Sequence, residues 1–290
     1  MATITPDTLL AAVMKVKRTG KKRRGVSTGF DSFDEYLMLN KKCLTLITGF
    51  PGYGKSELVD ALSINTAIMH SWRWLFYSTE NDDSSIHLIK LITKKIGKAL
   101  FYCTDEEIRD AVLWASDYFA WMDSGDAFYS IDDVLEQTAI RVEAGHKVDV
   151  LLVDPWNELN HAKQGGRDDT YISDCTAKIN RHAKKYDYLP MIVIHPRGVE
   201  KNKDGNYPIP HLRDCNGGAM WWNKARVGIC VHRKDFTVQG AHVYFQKVKD
   251  RMMGYPGATF LDYEVGSGRF KDQEAMTFDL PAEVIAAPFI

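Results

Sequence analysis

Apolar positions follow two rhythms along this chain. Runs that are apolar on both faces occur at 43–49 (CLTLITG), 73–80 (RWLFYSTE), 148–155 (VDVLLVDP) and 188–196 (YLPMIVIHP). Such runs do not suit a half-wetted sheet and predict buried parallel strands. Near 55–70, 84–97, 105–120, 131–145 and 170–186, apolar residues recur at three- and four-residue spacing, which predicts helices with one buried stripe. The alternation of the two predicts an α/β fold, with a mainly parallel sheet covered on both sides.

Both ends depart from this rhythm. ARVGICVHRK, AHVYFQKVKD and ATFLDYEVG read as three shorter strands separated by turns, which predicts antiparallel additions at the sheet edge. Within residues 6–17, Leu9, Leu10, Val13 and Val16 form the apolar stripe of an N-terminal helix that needs a surface to dock on. RTGKKRRGVSTGF then reads as a flexible basic linker. The expected division is a helix and linker over 1–24, one α/β domain over 25–275 and a tail over 276–290.

Composition narrows the function classes. With 290 residues and 45% hydrophobic content, the chain can bury a sizeable core. A net charge of −1 leaves no global basic field, so any nucleic-acid site must be a local patch. No apolar run approaches the ~20 residues needed to span a membrane, and the N-terminus lacks the apolar centre of a signal peptide. The five cysteines are scattered without zinc-site spacing, which predicts reduced thiols in a cytoplasmic protein.

The chemistry centres on GFPGYGKS, residues 49–56, which fits the phosphate-binding pattern G-x-x-x-x-G-K-[ST] between a strand and a helix. Gly49, Gly52 and Gly54 let the backbone curl so that amides point at an anion. The helix that follows offers its positive end. Pro51 and Tyr53 occupy variable positions of the pattern, and Glu57 follows the Lys-Ser pair. Lys55 adds a charge for the β- and γ-phosphates of ATP, and the Ser56 hydroxyl suits Mg²⁺. Asp154 closes the hydrophobic run 148–155, where a carboxylate holds Mg²⁺ through its water shell. Two carboxylates compete for the role of base toward water: Glu80, ending the strand-like run 73–80, and Glu158, in DPWNE. His195 ends the fourth run, as a polar sensor of the γ-phosphate or as a structural histidine.

Several stretches together resemble the RecA-type helicase domain of the DnaB family, on its Twinkle-like and bacteriophage primase–helicase side. They are VSTGFDSFDEYL, ITGFPGYGKSE, FYSTEND, LLVDPWNEL, the long segment from VIHPRGVEKNKDG to CVHR, and QKVKDRMMGYPGATFLDYEVGSGRF, in the family's order from about residue 25 to 271. The resemblance implies a RecA-like P-loop NTPase fold and an ATP-driven helicase that translocates 5′ to 3′ on single-stranded DNA as a hexameric ring. It implies Glu80 as base, Asp154 at the metal and His195 as sensor. It further implies Lys249 and Arg251, in KDRMMG, as fingers reaching the next subunit's nucleotide, a role that suits arginine beside developing phosphate charge.

Arg197, Lys201 and Lys203 would line the channel, cations that track a DNA backbone without sequence choice. A second loop at 214–222 would add Asn216, Gly217 and Gly218, whose amides could reach phosphates; Trp221 and Trp222 suit base stacking or, more simply, packing. The N-terminal helix resembles the family's linker helix. No primase-like region precedes it, so priming would come from a separate protein of the replisome. The resemblance also implies a bacterial or phage-infected cell, with an organelle left open. An alternative within the same core is a RecA-type DNA-binding ATPase, recombinase-like or remodelling, that does not unwind duplexes.

Overall fold

In the computed structural model, residues 23–79, 84–122, 129–161, 168–198, 201–203 and 207–273 are described, with scattered helical positions between Asp7 and Lys17. Of the N-terminal stripe, Leu10 and Val13 are exposed helical positions, while Leu9 and Val16 fall outside the described residues. The expected tail 276–290 falls outside them as well.

The strands are β1 (Thr45–Thr48), β2 (Trp74–Ser78), β3 (Phe119–Trp121), β4 (Val150–Asp154), β5 (Leu189–Ile194), β6 (Val227–His232), β7 (Gly240–Val248), β8 (Gly257–Glu264) and β9 (Arg269–Asp272). They form one sheet in the order β3-β2-β4-β5-β1-β6-β7-β8-β9. Every pair from β3 to β6 is parallel, and β7, β8 and β9 add antiparallel. One expectation is therefore corrected. The ARVGICVHRK strand is not an antiparallel addition to the edge: β6 lies parallel beside β1 and completes the parallel core. Two strands, β3 and β9, extend the sheet at edges that the pattern did not mark.

The helices are α1 (Asp31–Asp34), α2 (Lys55–His70), α3 (Ser84–Ile96), α4 (Asp105–Tyr118), α5 (Ile131–Glu143), α6 (Asp168–Tyr186) and α7 (Gly218–Lys224). Strand residues alternate between two cores. Ile47, Phe76, Leu152 and Val193 meet α2, α3 and α4 on one face. Leu46, Leu75, Leu151 and Ile192 meet α5, α6 and α7 on the other. Because both faces are covered, β1, β4, β5 and β6 are buried along their whole length. Truncating one such Leu or Ile to Ala would cost about 2–5 kcal/mol.

Local chemistry sets the ends of the elements. Thr104 and Ser130 each start a helix with a capping box, closed by Glu107 and Asp133. The fully buried Asp149 carboxylate accepts the Arg73 amide and pairs with Lys41 and Lys147, tying together the chain entries to β1, β2 and β4. In contrast, α2 starts at Gly54, in the left-handed region with no side-chain cap. The opposite ends of β1, β4, β5 and β6, all at one sheet edge, carry the candidate site.

Candidate active site

At the end of β1 the chain turns away through Gly49, whose φ is 146°. A Cβ there would fall 2.3 Å from the Val231 carbonyl oxygen, so only glycine permits this close approach to β6. Pro51, Gly52 and Tyr53 carry the turn to Gly54, which caps α2 at φ 95°. That conformation leaves the first turn of α2 facing the loop, where orphan amides suit an anion. Lys55 is 6% exposed, and its Nζ donates to the Phe50 carbonyl at 3.1 Å. Glu57, one turn into α2, receives Lys94 Nζ and, at 2.9 Å, the Tyr263 hydroxyl.

Ser56 and Asp154 come together across the site. The Ser56 hydroxyl donates to Asp154 Oδ2 at 3.4 Å, and Asp154 is 4% exposed. Two hard oxygen donors in contact fit Mg²⁺, which takes a few protein oxygens and completes its shell with water and phosphate. Among the described residues, no group of three or more His, Cys, Asp or Glu could cage a metal by itself.

β2 runs beside β4 with Ser78 opposite Asp154. Glu80 follows two residues later and lies outside the described residues. Its rival Glu158 is exposed and accepts the Thr79 hydroxyl, so it too stands at this edge. On β5, Ile194 lies opposite Thr48, which puts His195 one step beyond. The His195 amide donates to Asn157 Oδ1 at 2.9 Å, joining the sensor candidate to the segment after Asp154. At the end of β6, His232 lies beside Tyr53, ring centroids 5.1 Å apart. Burial holds the His232 imidazole down to about 4, helped by His242 and Lys234, so it is neutral near pH 7.

The DNA-loop candidates separate into two kinds. Arg197, Lys201 and Lys203 are exposed. The Arg197 amide and its Nε both donate to the Asp214 carbonyl, at 2.9 and 3.3 Å, which fastens the first loop to the second. The second loop is shorter than expected, because Gly218 already begins α7. Gly217 caps that helix at φ 67°. The Gly218 amide donates to the Cys215 carbonyl at 2.9 Å, and a Cβ there would fall 2.1 Å from the Arg213 carbonyl oxygen. Gly218 thus packs closely on the Arg213 carbonyl, with its amide engaged in the turn into α7. Asn216 remains exposed, and its carbonyl accepts Trp221 Nε1 at 3.0 Å. Trp221 is fully buried, and Trp222 lies under Arg213 and Lys247, so packing rather than base stacking engages the Trp pair.

Lys249 and Arg251 stand at the opposite edge of the sheet. Val248 pairs with Val227, and Val227 pairs with Thr45, at the entry to β1 rather than its exit. The turn that carries Arg251 is pinned to the segment before β1: Met38 donates to the Met253 carbonyl and Tyr255 to the Tyr36 carbonyl, each at 2.9 Å. Gly254 makes this possible, since a Cβ at its φ of 157° would fall 1.8 Å from the Tyr36 carbonyl oxygen. Lys249 and Arg251 are exposed on this anchored turn.

No family model matches the chain. Over 270 residues it is 30% identical to the Twinkle homolog protein, chloroplastic/mitochondrial, of Arabidopsis thaliana, across 88% of this chain and 37% of that relative. The chain therefore spans well under half the length of the curated relative it matches. Among solved structures it is similar to an ATPase domain, with a TM-score of 0.78 and 17% identity, covering 94% of this chain and all of that one. It is also similar to a DnaB-like replicative helicase solved for its interactions with primase, with a TM-score of 0.75 and 18% identity, over 94% of this chain and 68% of that one. By fold the chain is thus similar to these two ATPase and helicase domains, and by sequence to part of the Twinkle homolog.

The sequence pattern does not mark several residues that the structure brings to the site. Asn157, beside Glu158 in DPWNE, holds the His195 amide. Thr79 ties the Asp154 backbone to Glu158: its amide donates to the Asp154 carbonyl at 3.3 Å and its hydroxyl to the Glu158 carboxylate. Phe50 and Tyr207 touch beside the cradle, ring centroids 4.9 Å apart. Asn157 and Thr79 sit within two residues of motif positions and were findable from that spacing. The Phe50–Tyr207 contact had no local signal.

Proposed function

We propose that this chain is the motor domain of an ATP-driven DNA helicase that moves along single-stranded DNA. The observation that carries this is the Ser56–Asp154 contact, 3.4 Å, beneath a complete phosphate loop at the end of a parallel sheet. The motor unit is residues 25–275, with the helix and basic linker of 1–24 before it and the tail of 276–290 after it.

In this reading the amides of Gly49, Gly52, Gly54 and the start of α2 cradle the phosphates, flanked by Pro51, Tyr53 and Glu57. The Lys55 ammonium turns to the β- and γ-phosphate oxygens. Ser56 and Asp154 hold Mg²⁺, which when bound neutralises charge on those oxygens. Glu80 takes the proton of the attacking water, and Glu158 orders Thr79 beside it. His195 senses the γ-phosphate, and Asn157 fixes its backbone. Lys249 and Arg251, at the far edge of the sheet, serve the nucleotide of a neighbouring copy, which calls for a repeated head-to-tail interface; its closure into a ring follows the resemblance. Six copies and 5′-to-3′ movement come from the resemblance.

The single strand runs along Arg197, Lys201 and Lys203, with Asn216 and Gly217 at the second loop. A separate primase would supply priming. The compartment is one that keeps thiols reduced, in keeping with five unpaired cysteines. No described helix is long and apolar enough to cross a membrane. The test is ATP hydrolysis with and without oligo(dT). Wild type should hydrolyse ATP and respond to DNA, and Lys55→Ala should do neither. Equal turnover by the two proteins would overturn the assignment of the cradle.

A further inference from the structure

Two positions that the phosphate-loop pattern leaves free carry buried aromatic rings. Phe50 and Tyr53 pack edge to face, centroids 5.5 Å apart. Neither ring is needed to bind phosphate, since the cradle uses backbone amides and Lys55. Both instead reach the elements around the candidate DNA loop. Phe50 meets the Tyr207 ring at 4.9 Å, and Tyr53 meets Phe236 in the β6–β7 turn at 5.1 Å. Tyr207 in turn carries the Lys201 ammonium over its ring at 5.1 Å. A continuous line of contacts thus runs from the phosphate loop through Phe50 and Tyr207 to a cation assigned to the DNA backbone.

Both ends of this line are tied to the chemistry. The Phe50 carbonyl accepts the Lys55 ammonium, so a phosphate group that draws the ammonium acts on the residue whose ring touches Tyr207. Just past Tyr207 the chain is fixed: Ile209 packs on Cys230, Tyr244 and Ala258, and the Pro210 carbonyl accepts Gln246 Nε2 at 2.7 Å. With the chain after Tyr207 held on the β6–β7–β8 side, a shift at Phe50 acts on the partly exposed Tyr207 ring, whose free side is the one that carries Lys201. The buried Phe50 ring has little free volume of its own in which to absorb such a shift.

We propose that Tyr207, held between Phe50 and Lys201, is a positioning residue that couples the phosphate cradle to the grip on single-stranded DNA. This rests on the functional reading above and adds the route by which its two sites communicate. Coupling of this kind is reciprocal: nucleotide alters DNA affinity by the factor by which DNA alters nucleotide affinity.

The experiment measures binding of fluorescent oligo(dT) with and without a non-hydrolysable ATP analogue and Mg²⁺, for wild type, Tyr207→Ala, Tyr207→Phe and Phe50→Leu. Wild type should show a nucleotide-dependent change of roughly fivefold or more in DNA affinity. Tyr207→Ala and Phe50→Leu should bring the ratio to within about twofold of unity, while Tyr207→Phe, which keeps the ring, retains it. Analogue affinity of Tyr207→Ala in the absence of DNA should stay within about twofold of wild type, which separates lost coupling from lost folding. A wild-type ratio in Tyr207→Ala, or equal loss in Tyr207→Phe, would overturn the proposal while leaving the helicase reading intact. A wild-type protein that binds no oligo(dT) would overturn both.

Discussion

If Arg251 serves a neighbouring copy, two inactive variants should repair each other. The structure sets the distance. From the Thr45–Val227–Val248 register to Thr48 there are three strand steps, about 10 Å, before the turn at one end or the phosphate loop at the other is added. The Tyr36 and Met38 contacts hold that turn to its own edge, so Arg251 cannot fold back to Lys55. An Arg251→Ala subunit then has a sound cradle and no finger, and a Lys55→Ala subunit has the reverse. A trans-acting arginine contributes on the order of 10³-fold or more to turnover, so each variant alone should sit near background. In an equal mixture about a quarter of interfaces pair a sound cradle with a sound finger, which should restore turnover far above either parent. The assay is steady-state ATP hydrolysis across mixing ratios, after sizing has established mixed assemblies. Arg251→Ala with wild-type turnover, or mixed assemblies silent at every ratio, would refute the trans assignment.

Three further outcomes follow from other parts of the site. Glu80→Gln should keep nucleotide affinity and lose turnover in a single-turnover assay; if Glu158→Gln does this while Glu80→Gln stays active, the base has been misassigned. Replacing Lys201 and Lys203 with Ala should weaken oligo(dT) binding for every sequence and reduce the log–log salt slope by about 0.7 for each lost phosphate contact, and an unchanged slope would remove this loop from the DNA path. His232 and His242 face each other across β6 and β7, and burial, with Lys234 adding to it, holds both down to about 4. The folded state thus binds fewer protons than the unfolded chain between its ordinary value near 6.5 and about 4, and stability falls as pH drops through that window. The loss should be on the order of 1 kcal/mol per histidine by pH 5.5, read from urea midpoints at pH 7.5 and 5.5. A His232→Asn, His242→Gln double variant should flatten that dependence, and a variant as pH-sensitive as wild type would contradict it.

The parallel core was legible because burial on both faces writes itself into runs such as CLTLITG and VDVLLVDP. The direction of β6 was not, since side-chain pattern reports burial and says nothing of which way a neighbour runs. β3 escaped notice because Phe119–Trp121 directly continues the apolar rhythm of α4. β9 escaped because RFKD is short and mostly wet. At the site, Lys55, Ser56 and Asp154 could be read from spacing because each stands at the end of a strong strand or the start of a strong helix. The second loop was misjudged at Gly218, where NGG suggests a turn but the chain has already entered α7. The Phe50–Tyr207 contact joins residues far apart in sequence at positions the motif leaves open. Only the fold brings them together.

ATP turnover at the Lys55–Ser56–Asp154 site should drive strand separation. It is tested most directly by displacement of a labelled strand from a forked DNA duplex by the purified chain. Displacement should require hydrolysable ATP and Mg²⁺ and be lost in Lys55→Ala. DNA-stimulated ATP hydrolysis with no strand displaced, on forks of either polarity, would contradict it and favour a DNA-dependent ATPase that does not unwind.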